Sequence, residues 1–146
     1  MIDVSKMLKN TTLLMWGGSI YFFIEVIYKS LFHNGNGIHW SMYIVGMCAF
    51  YAMGIINEHI LTEDMPLWIQ CLISTFIILL LEFVSGLIIN VWLKLNVWHY
   101  DHFHIMHQVC LSFSFIWYFL SAFGIWLDDK LRELIFKEKK IEYKIF

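Results

Sequence analysis

Four long apolar stretches separated by short polar breaks constrain the fold of this chain most strongly. They run over about residues 12–32, 40–56, 67–92 and 103–127. A helix needs about 20 mostly apolar residues to cross a bilayer core of about 30 Å, and these stretches match that requirement. The chain is 60% hydrophobic and only 15% charged, which excludes a water-soluble globule. The sequence therefore predicts an all-α integral membrane protein, a bundle of four transmembrane helices.

Loop-forming residues occupy the breaks between these stretches. Asn and Gly alternate over residues 34–37, the single proline Pro66 follows two acidic residues, and His and Asp dominate residues 99–102. We expect one transmembrane domain over residues 1–132, followed by a charged cytoplasmic tail over residues 133–146.

Basic residues are unevenly divided between the two sides of such a bundle. Four spans place both termini and the second loop on one side, which holds eight of the ten Lys and Arg residues. Only Lys29 and Lys94 lie on the other side. Because positive charge accumulates in cytoplasmic segments, the distribution predicts cytoplasmic N and C termini.

Several functional classes are excluded by composition and by missing motifs. A net charge of −2 leaves no basic face for nucleic acid. The three cysteines fall in apolar stretches without a CxxC pair, which argues against a disulfide framework or a zinc knuckle. The sequence contains no Walker A loop, dinucleotide fingerprint or nucleophile elbow. We therefore expect no organic cofactor and no catalytic centre, and the chain alone cannot hydrolyse ATP.

Two carboxylates lie inside the predicted spans, where an ionised group must be paired, protonated or directed into a cavity. These residues are Glu25 and Glu82. Helical periodicity places Ser85 and Asn90 on the Glu82 face, and Lys29 follows Glu25 at ion-pair spacing. With cytoplasmic termini, Glu25, Glu82 and Asn90 occupy the outer half of the bundle, which predicts a polar pocket open to the exterior. The alternative is that these groups only hold helices together.

A second polar cluster lies in the segment WHYDHFHIMHQ, which precedes the fourth stretch. Its potential metal ligands are His99, Asp101, His102, His104 and His107. Imidazole and carboxylate groups suit zinc, copper or nickel, so a divalent metal site is one hypothesis. A pH-responsive cluster and an interfacial structural role are the alternatives, since the spacing matches no established zinc signature.

Several stretches together resemble the type IV, CmpB-like ABC-transporter permeases, a family of small bacterial membrane proteins. The clearest are Ile24–Ile27, His39–Gly46, Leu81–Asn90, Asn96–Tyr100 and Gln108–Ser121. The resemblance covers about residues 20–146. It implies four transmembrane helices, a multi-pass location in the bacterial cytoplasmic membrane and a role in transport.

The family motif W-D-Y-S, followed by P-F-N and G-Q-I-C-L, is only partly present. Trp98 and Tyr100 match it, whereas histidines stand at the positions of the first Asp and of the later Pro, Asn and Gly. We predict that the intramembrane polar site comprises Glu25, Glu82, Ser85, Asn90, Trp98 and Tyr100.

The sequence favours a permease or transport-related subunit. The alternatives are a holin-like or accessory membrane component, and a metal-dependent membrane enzyme that uses the His-rich loop. Besides the lipid bilayer, we expect the partners to be further copies of the chain or a larger membrane complex, with a separate ATPase subunit if the transporter is of the ABC type.

Overall fold

The fold is built from four helices, and a computed structural model describes it over residues 4–55, 65–139 and 142–144. The helices are α1 (Val4–Phe32), α2 (Ser41–Ile55), α3 (Leu67–Gly86) and α4 (Leu111–Phe136). A π-helical segment, Leu87–Trp92, extends α3. In the described part of the chain, α1, extended α3 and α4 are long and apolar enough to cross a membrane, whereas α2 is shorter. The length and composition of these helices therefore fit a helical membrane protein.

The four helices run alternately up and down, so the connections gather at two ends. We call the end with residues 33–40 and 93–110 the loop end, and the end with residues 65–66 and 137–139 the tail end. At the loop end, β1 (His104–Ile105) pairs antiparallel with β2 (Val109–Cys110).

Two predicted boundaries differ from the observed ones at α4. The helix begins at Leu111, not near residue 103, because Phe103, Met106 and His107 adopt positive φ angles that a right-handed helix cannot include. It also continues to Phe136, past the predicted end of the span. Helix α1 begins at Val4, eight residues before the predicted start of the first span. Residues 56, 63 and 64, which belong to the predicted second span and its break, lie outside the described ranges.

Glycines allow α1 and α2 to approach closely. A Cβ atom at Gly46 of α2 would lie 2.5 Å from the ring of Tyr21, and one at Gly17 of α1 would lie 2.2 Å from the ring of Phe50. Neither distance is sterically possible without movement. Small residues at such positions let transmembrane helices pack closely, so these two glycines set the spacing of the pair.

Three charged residues of α4 near the tail end, Asp128, Asp129 and Arg132, are buried. Asp128 is only 1% exposed, and its Oδ2 accepts a 2.6 Å hydrogen bond from Nε of Arg132, one helical turn later. The Tyr143 hydroxyl donates to Asp129 Oδ2 over 2.5 Å, and burial together with this bond raises the pKa of that phenol. The predicted tail therefore begins as helix and then folds back against the bundle.

We predict that Gly46→Leu destabilises the protein by about 1–3 kcal/mol, because the new side chain must displace Tyr21 from a packed helix interface. The measurement is the thermal or denaturant unfolding midpoint in a neutral detergent. Cys48→Leu is the matched control, since Cys48 is exposed on the same helix. Equal midpoints for the two variants would contradict close packing at Gly46.

Candidate functional site

A cavity of about 450 Å³ lies between the four helices and extends to the loop end. Its lining includes four of the six residues predicted for the polar site, namely Glu25, Glu82, Trp98 and Tyr100. The remaining lining is mostly aliphatic and aromatic. Ser85 and Asn90 are not part of it, although both belong to the Glu82 face of extended α3. The cavity is therefore an apolar chamber with few polar groups, as is common for small-molecule sites.

Glu82 places a buried carboxylate in the wall of this cavity. Its side chain is 8% exposed. Oε1 accepts a 2.7 Å hydrogen bond from the Tyr100 hydroxyl, and Oε2 accepts a 3.2 Å bond from Nε1 of Trp117. Both donors are neutral, so they orient the carboxylate without cancelling its charge.

The predicted pair of Glu25 and Lys29 is present on the α1 side of the cavity. Lys29 Nζ lies 2.9 Å from Glu25 Oε1, and the lysine is 5% exposed. The same ammonium donates to the carbonyl oxygens of Gly37, at 2.7 Å, and Val97, at 3.2 Å. An ammonium has three N–H donors, and these three partners account for them.

Asn90 positions the wall of the cavity without lining it. Its Oδ1 accepts a 2.7 Å hydrogen bond from the backbone N–H of Val97, and its Nδ2 donates to Gln108 Oε1 over 2.9 Å. Trp98 Nε1 in turn donates to the carbonyl of Gln108. The Ser85 hydroxyl donates to the backbone carbonyl of Glu82. Of the predicted site residues, Asn90 therefore anchors the loop, and Ser85 bonds within its own helix.

Tyr100 connects the loop end to the carboxylate inside the bundle. Burial raises the pKa of its phenol well above the ordinary value, and the charge of Glu82 and the hydrogen bond to it raise it further. The phenol therefore remains a hydrogen-bond donor throughout the physiological pH range.

The structure stacks three imidazoles of the His-rich loop. The His99 and His107 rings lie 4.3 Å apart between centroids, and those of His104 and His107 lie 3.7 Å apart. His107 Nδ1 donates to the Tyr100 carbonyl at 2.8 Å. Asp101 and His102 are exposed, and Asp101 lies 3.4 Å from His99.

Across the described ranges, no three His, Cys, Asp or Glu side chains group as potential metal ligands. The metal hypothesis for this loop therefore stays a prediction, and the stacking brings the rings face to face.

Sequence reasoning did not assign three residues that shape this site. Trp117 bonds Glu82, Tyr21 stacks on Trp117 with centroids 5.8 Å apart, and Gln108 connects the loop to extended α3. Tyr21 precedes Glu25 by one helical turn, and Gln108 is a polar residue at the edge of an apolar stretch. These positions were the available signals, but the partners are distant in sequence.

The arrangement can bind a ligand. The described cavity lining provides one hydrogen-bonded carboxylate, one carboxylate paired with lysine, the imidazoles of His33 and His99, and several aromatic rings. Such a set favours a positively charged or hydrogen-bond-donating ligand over an anion.

A sequence model of one protein family matches the chain over residues 12–145, and its description is Putative ABC-transporter type IV. No protein with a curated description matches the chain significantly, and no solved structure does so.

We predict that Asn90→Ala lowers the free energy of unfolding by about 1–3 kcal/mol, because a buried backbone N–H and a buried amide oxygen lose their partner. Hydrogen exchange at the Val97 amide should accelerate as well. Ser85→Ala is the control, because it removes only a bond within α3. Unchanged protection of the Val97 amide would contradict the anchoring role of Asn90.

The raised pKa of Tyr100 predicts how stability depends on alkaline pH. The unfolded chain releases this proton near its ordinary pKa of about 10, whereas the folded protein retains it. The contribution to stability is therefore complete below about pH 10 and declines as the pH rises further. Unfolding midpoints measured between about pH 8 and 11 should fall less steeply for Tyr100→Phe than for the wild type, by about one proton. Parallel profiles would show that the phenol is not buried as described.

Proposed function

Since the chain belongs to the family described as Putative ABC-transporter type IV, we propose that it is a permease-type subunit of a membrane transport complex. In this proposal the cavity is the substrate site. Glu82 recognises a positive or hydrogen-bond-donating group of the substrate, and Tyr100 and Trp117 hold the carboxylate in position for it.

The proposal includes a topology of four membrane spans with both termini in the cytoplasm of a bacterium. The distribution of basic residues supports it. The loop end then faces the exterior, and the polar part of the cavity lies beneath it. A substrate would reach Glu82 from that side past the residues of the His-rich loop that border the cavity, including His99.

The buried carboxylate of Glu82 in the cavity wall is the main support for the proposal. In the described structure its two hydrogen-bond partners are neutral side chains, and Lys29 directs its donors to Glu25 and two backbone carbonyls. A carboxylate in an apolar surrounding is unfavourable unless something compensates its charge. Burying this carboxylate in a cavity wall is energetically unfavourable, and a role in ligand binding would explain why it is there.

The transport complex requires components that this chain does not supply. The sequence contains no nucleotide-binding motif, so an ABC mechanism needs a separate ATPase subunit. The cavity lining extends along α4 as far as Leu127 and includes none of the buried charged residues beyond it, Asp128, Asp129 and Arg132. Further copies or a companion membrane subunit would complete a path across the bilayer.

Native mass spectrometry of the complex, extracted gently from its own membrane, tests the proposal. We expect the wild type to carry a companion ATPase and a bound small molecule, and we expect Glu82→Gln to keep the companion but lose the small molecule. A homo-oligomer with neither companion nor small molecule would contradict it and favour a holin-like pore. A stoichiometric metal would instead favour the metal-dependent alternative at the His-rich loop.

A further inference from the structure

The cavity is elongated along the helices. Its lining on α1 extends from Gly17 to Lys29, and its lining on α4 extends from Phe113 to Leu127. At the rise of an α-helix these distances are about 18 Å and about 21 Å, more than half of a bilayer core. A volume of about 450 Å³ distributed over that length suits an extended molecule better than a compact solute.

The two ends of the cavity differ in polarity. Glu25, Lys29 and Tyr100 lie toward the loop end, with Glu82 below them. From Ile78, one turn from Glu82, toward the tail end, the lining is apolar, and it consists of Gly17, Ala49, Phe50, Met53, Ile78, Leu120, Phe123, Gly124 and Leu127. The polarity therefore matches a molecule with a polar head and an apolar chain.

The charged residues of the lining indicate the charge of the polar head that would bind there. Glu25 and Glu82 supply two carboxylates, and Lys29 supplies one ammonium, which contacts Glu25. The imidazoles of His33 and His99 line the loop end of the cavity. Among the described residues, the Glu82 carboxylate is bonded only to the neutral donors of Tyr100 and Trp117. A cationic head would balance the remaining negative charge, and an anionic head would be repelled.

Aromatic rings next to Glu82 favour the same kind of head. Tyr21 stacks on Trp117, while Tyr100 and Phe113 lie 5.2 Å apart between ring centroids. All four residues line the cavity. The faces of aromatic rings attract ammonium groups, including quaternary ones, which have no N–H to donate.

The cavity also reaches the outer surface of the bundle at residues of α1 and α4. These two helices pack less closely with each other than α1 does with α2 or α3 with α4. Ile24 of α1 and Ile116 and Phe123 of α4 line the cavity and are nevertheless 38%, 48% and 44% exposed. In a membrane protein such a gap faces the hydrocarbon of the bilayer, from which an amphiphile can enter.

We propose that the cavity binds a single-chain lipophilic ammonium compound. Its cationic head lies against Glu82 between the aromatic rings, and its alkyl chain extends past Ile78 toward Leu127. This inference rests on the proposed function, because it names the substrate class of the same site. A small hydrated cation is disfavoured, since it would exchange its water shell for a mostly apolar wall.

The test measures binding of matched probes to the full chain in lipid nanodiscs by native mass spectrometry. The probes are dodecyltrimethylammonium, hexyltrimethylammonium, tetramethylammonium and dodecyl sulfate. The proteins are the wild type, Glu82→Gln and Glu133→Gln, where Glu133 is a carboxylate of α4 outside the cavity that pairs with Lys130. Thermal unfolding confirms that each variant is folded.

We expect the dodecyl cation to bind the wild type and Glu133→Gln equally, and Glu82→Gln at least about tenfold more weakly. Binding should weaken from the dodecyl to the hexyl and tetramethyl cations, and dodecyl sulfate should not bind. If Glu82→Gln does not fold, Leu120→Trp replaces it. That variant fills the apolar part, so it should weaken dodecyl binding while leaving tetramethylammonium unaffected.

Three outcomes would overturn the inference. Equal binding of the dodecyl cation and dodecyl sulfate, or equal binding to all variants, would show partition into lipid alone. Glu82-dependent binding of tetramethylammonium as tight as that of the dodecyl cation would refute an amphiphilic substrate but leave Glu82 as the site of the proposed function. Failure of the proposed function itself is read separately, from the absence of a companion ATPase and of a bound small molecule in the native complex.

Discussion

The contacts of the buried Lys29 ammonium hold the loop end of this protein together. Within an apolar bundle every charged or polar group needs a partner, and this lysine satisfies its three donors with Glu25 of α1 and the carbonyls of Gly37 and Val97. One cation thereby connects the first helix to both connections at that end. The position of Val97 is further fixed by Asn90, so the loop that carries Trp98 and Tyr100 is held from two sides.

That anchoring explains how a loop residue, Tyr100, donates a hydrogen bond to a carboxylate inside the bundle. The Tyr100 hydroxyl reaches Glu82 only because the backbone on either side of it is restrained by Val97 and by His107, whose ring bonds the Tyr100 carbonyl. Trp117 approaches the same carboxylate from α4. The site thus depends on contacts between segments that are separated by at least 18 residues along the chain. Only neutral donors contact this carboxylate among the described residues, and the proposed transport role assigns the ligand to it.

The two ends of the bundle differ in how their buried charged side chains are paired. At the tail end, Asp128 and Arg132 neutralise each other within one turn of α4, and Tyr143 folds the following segment back onto Asp129. At the loop end, the ion pair of α1 does not include Glu82, whose carboxylate accepts hydrogen bonds from two neutral donors. The first arrangement buries paired charges, while the second places a carboxyl group in the wall of a mostly apolar cavity. This difference favours a binding role for the loop end.

The sequence by itself determined the helical membrane class, the approximate positions of the long helices, the family and the pairing of Glu25 with Lys29. Those features follow from local hydrophobicity, from spacing along a helix and from residue patterns. Only the tertiary structure decided that Trp117 and Tyr100 converge on Glu82, that Asn90 is an anchor, and that α4 begins at Leu111 after a short hairpin. Such contacts join segments that are distant along the chain. The positive φ angles at Phe103, Met106 and His107 could not be predicted either, because these residue types rarely adopt them. Periodicity can place a side chain on a helix face, but it cannot identify the partner that the face meets.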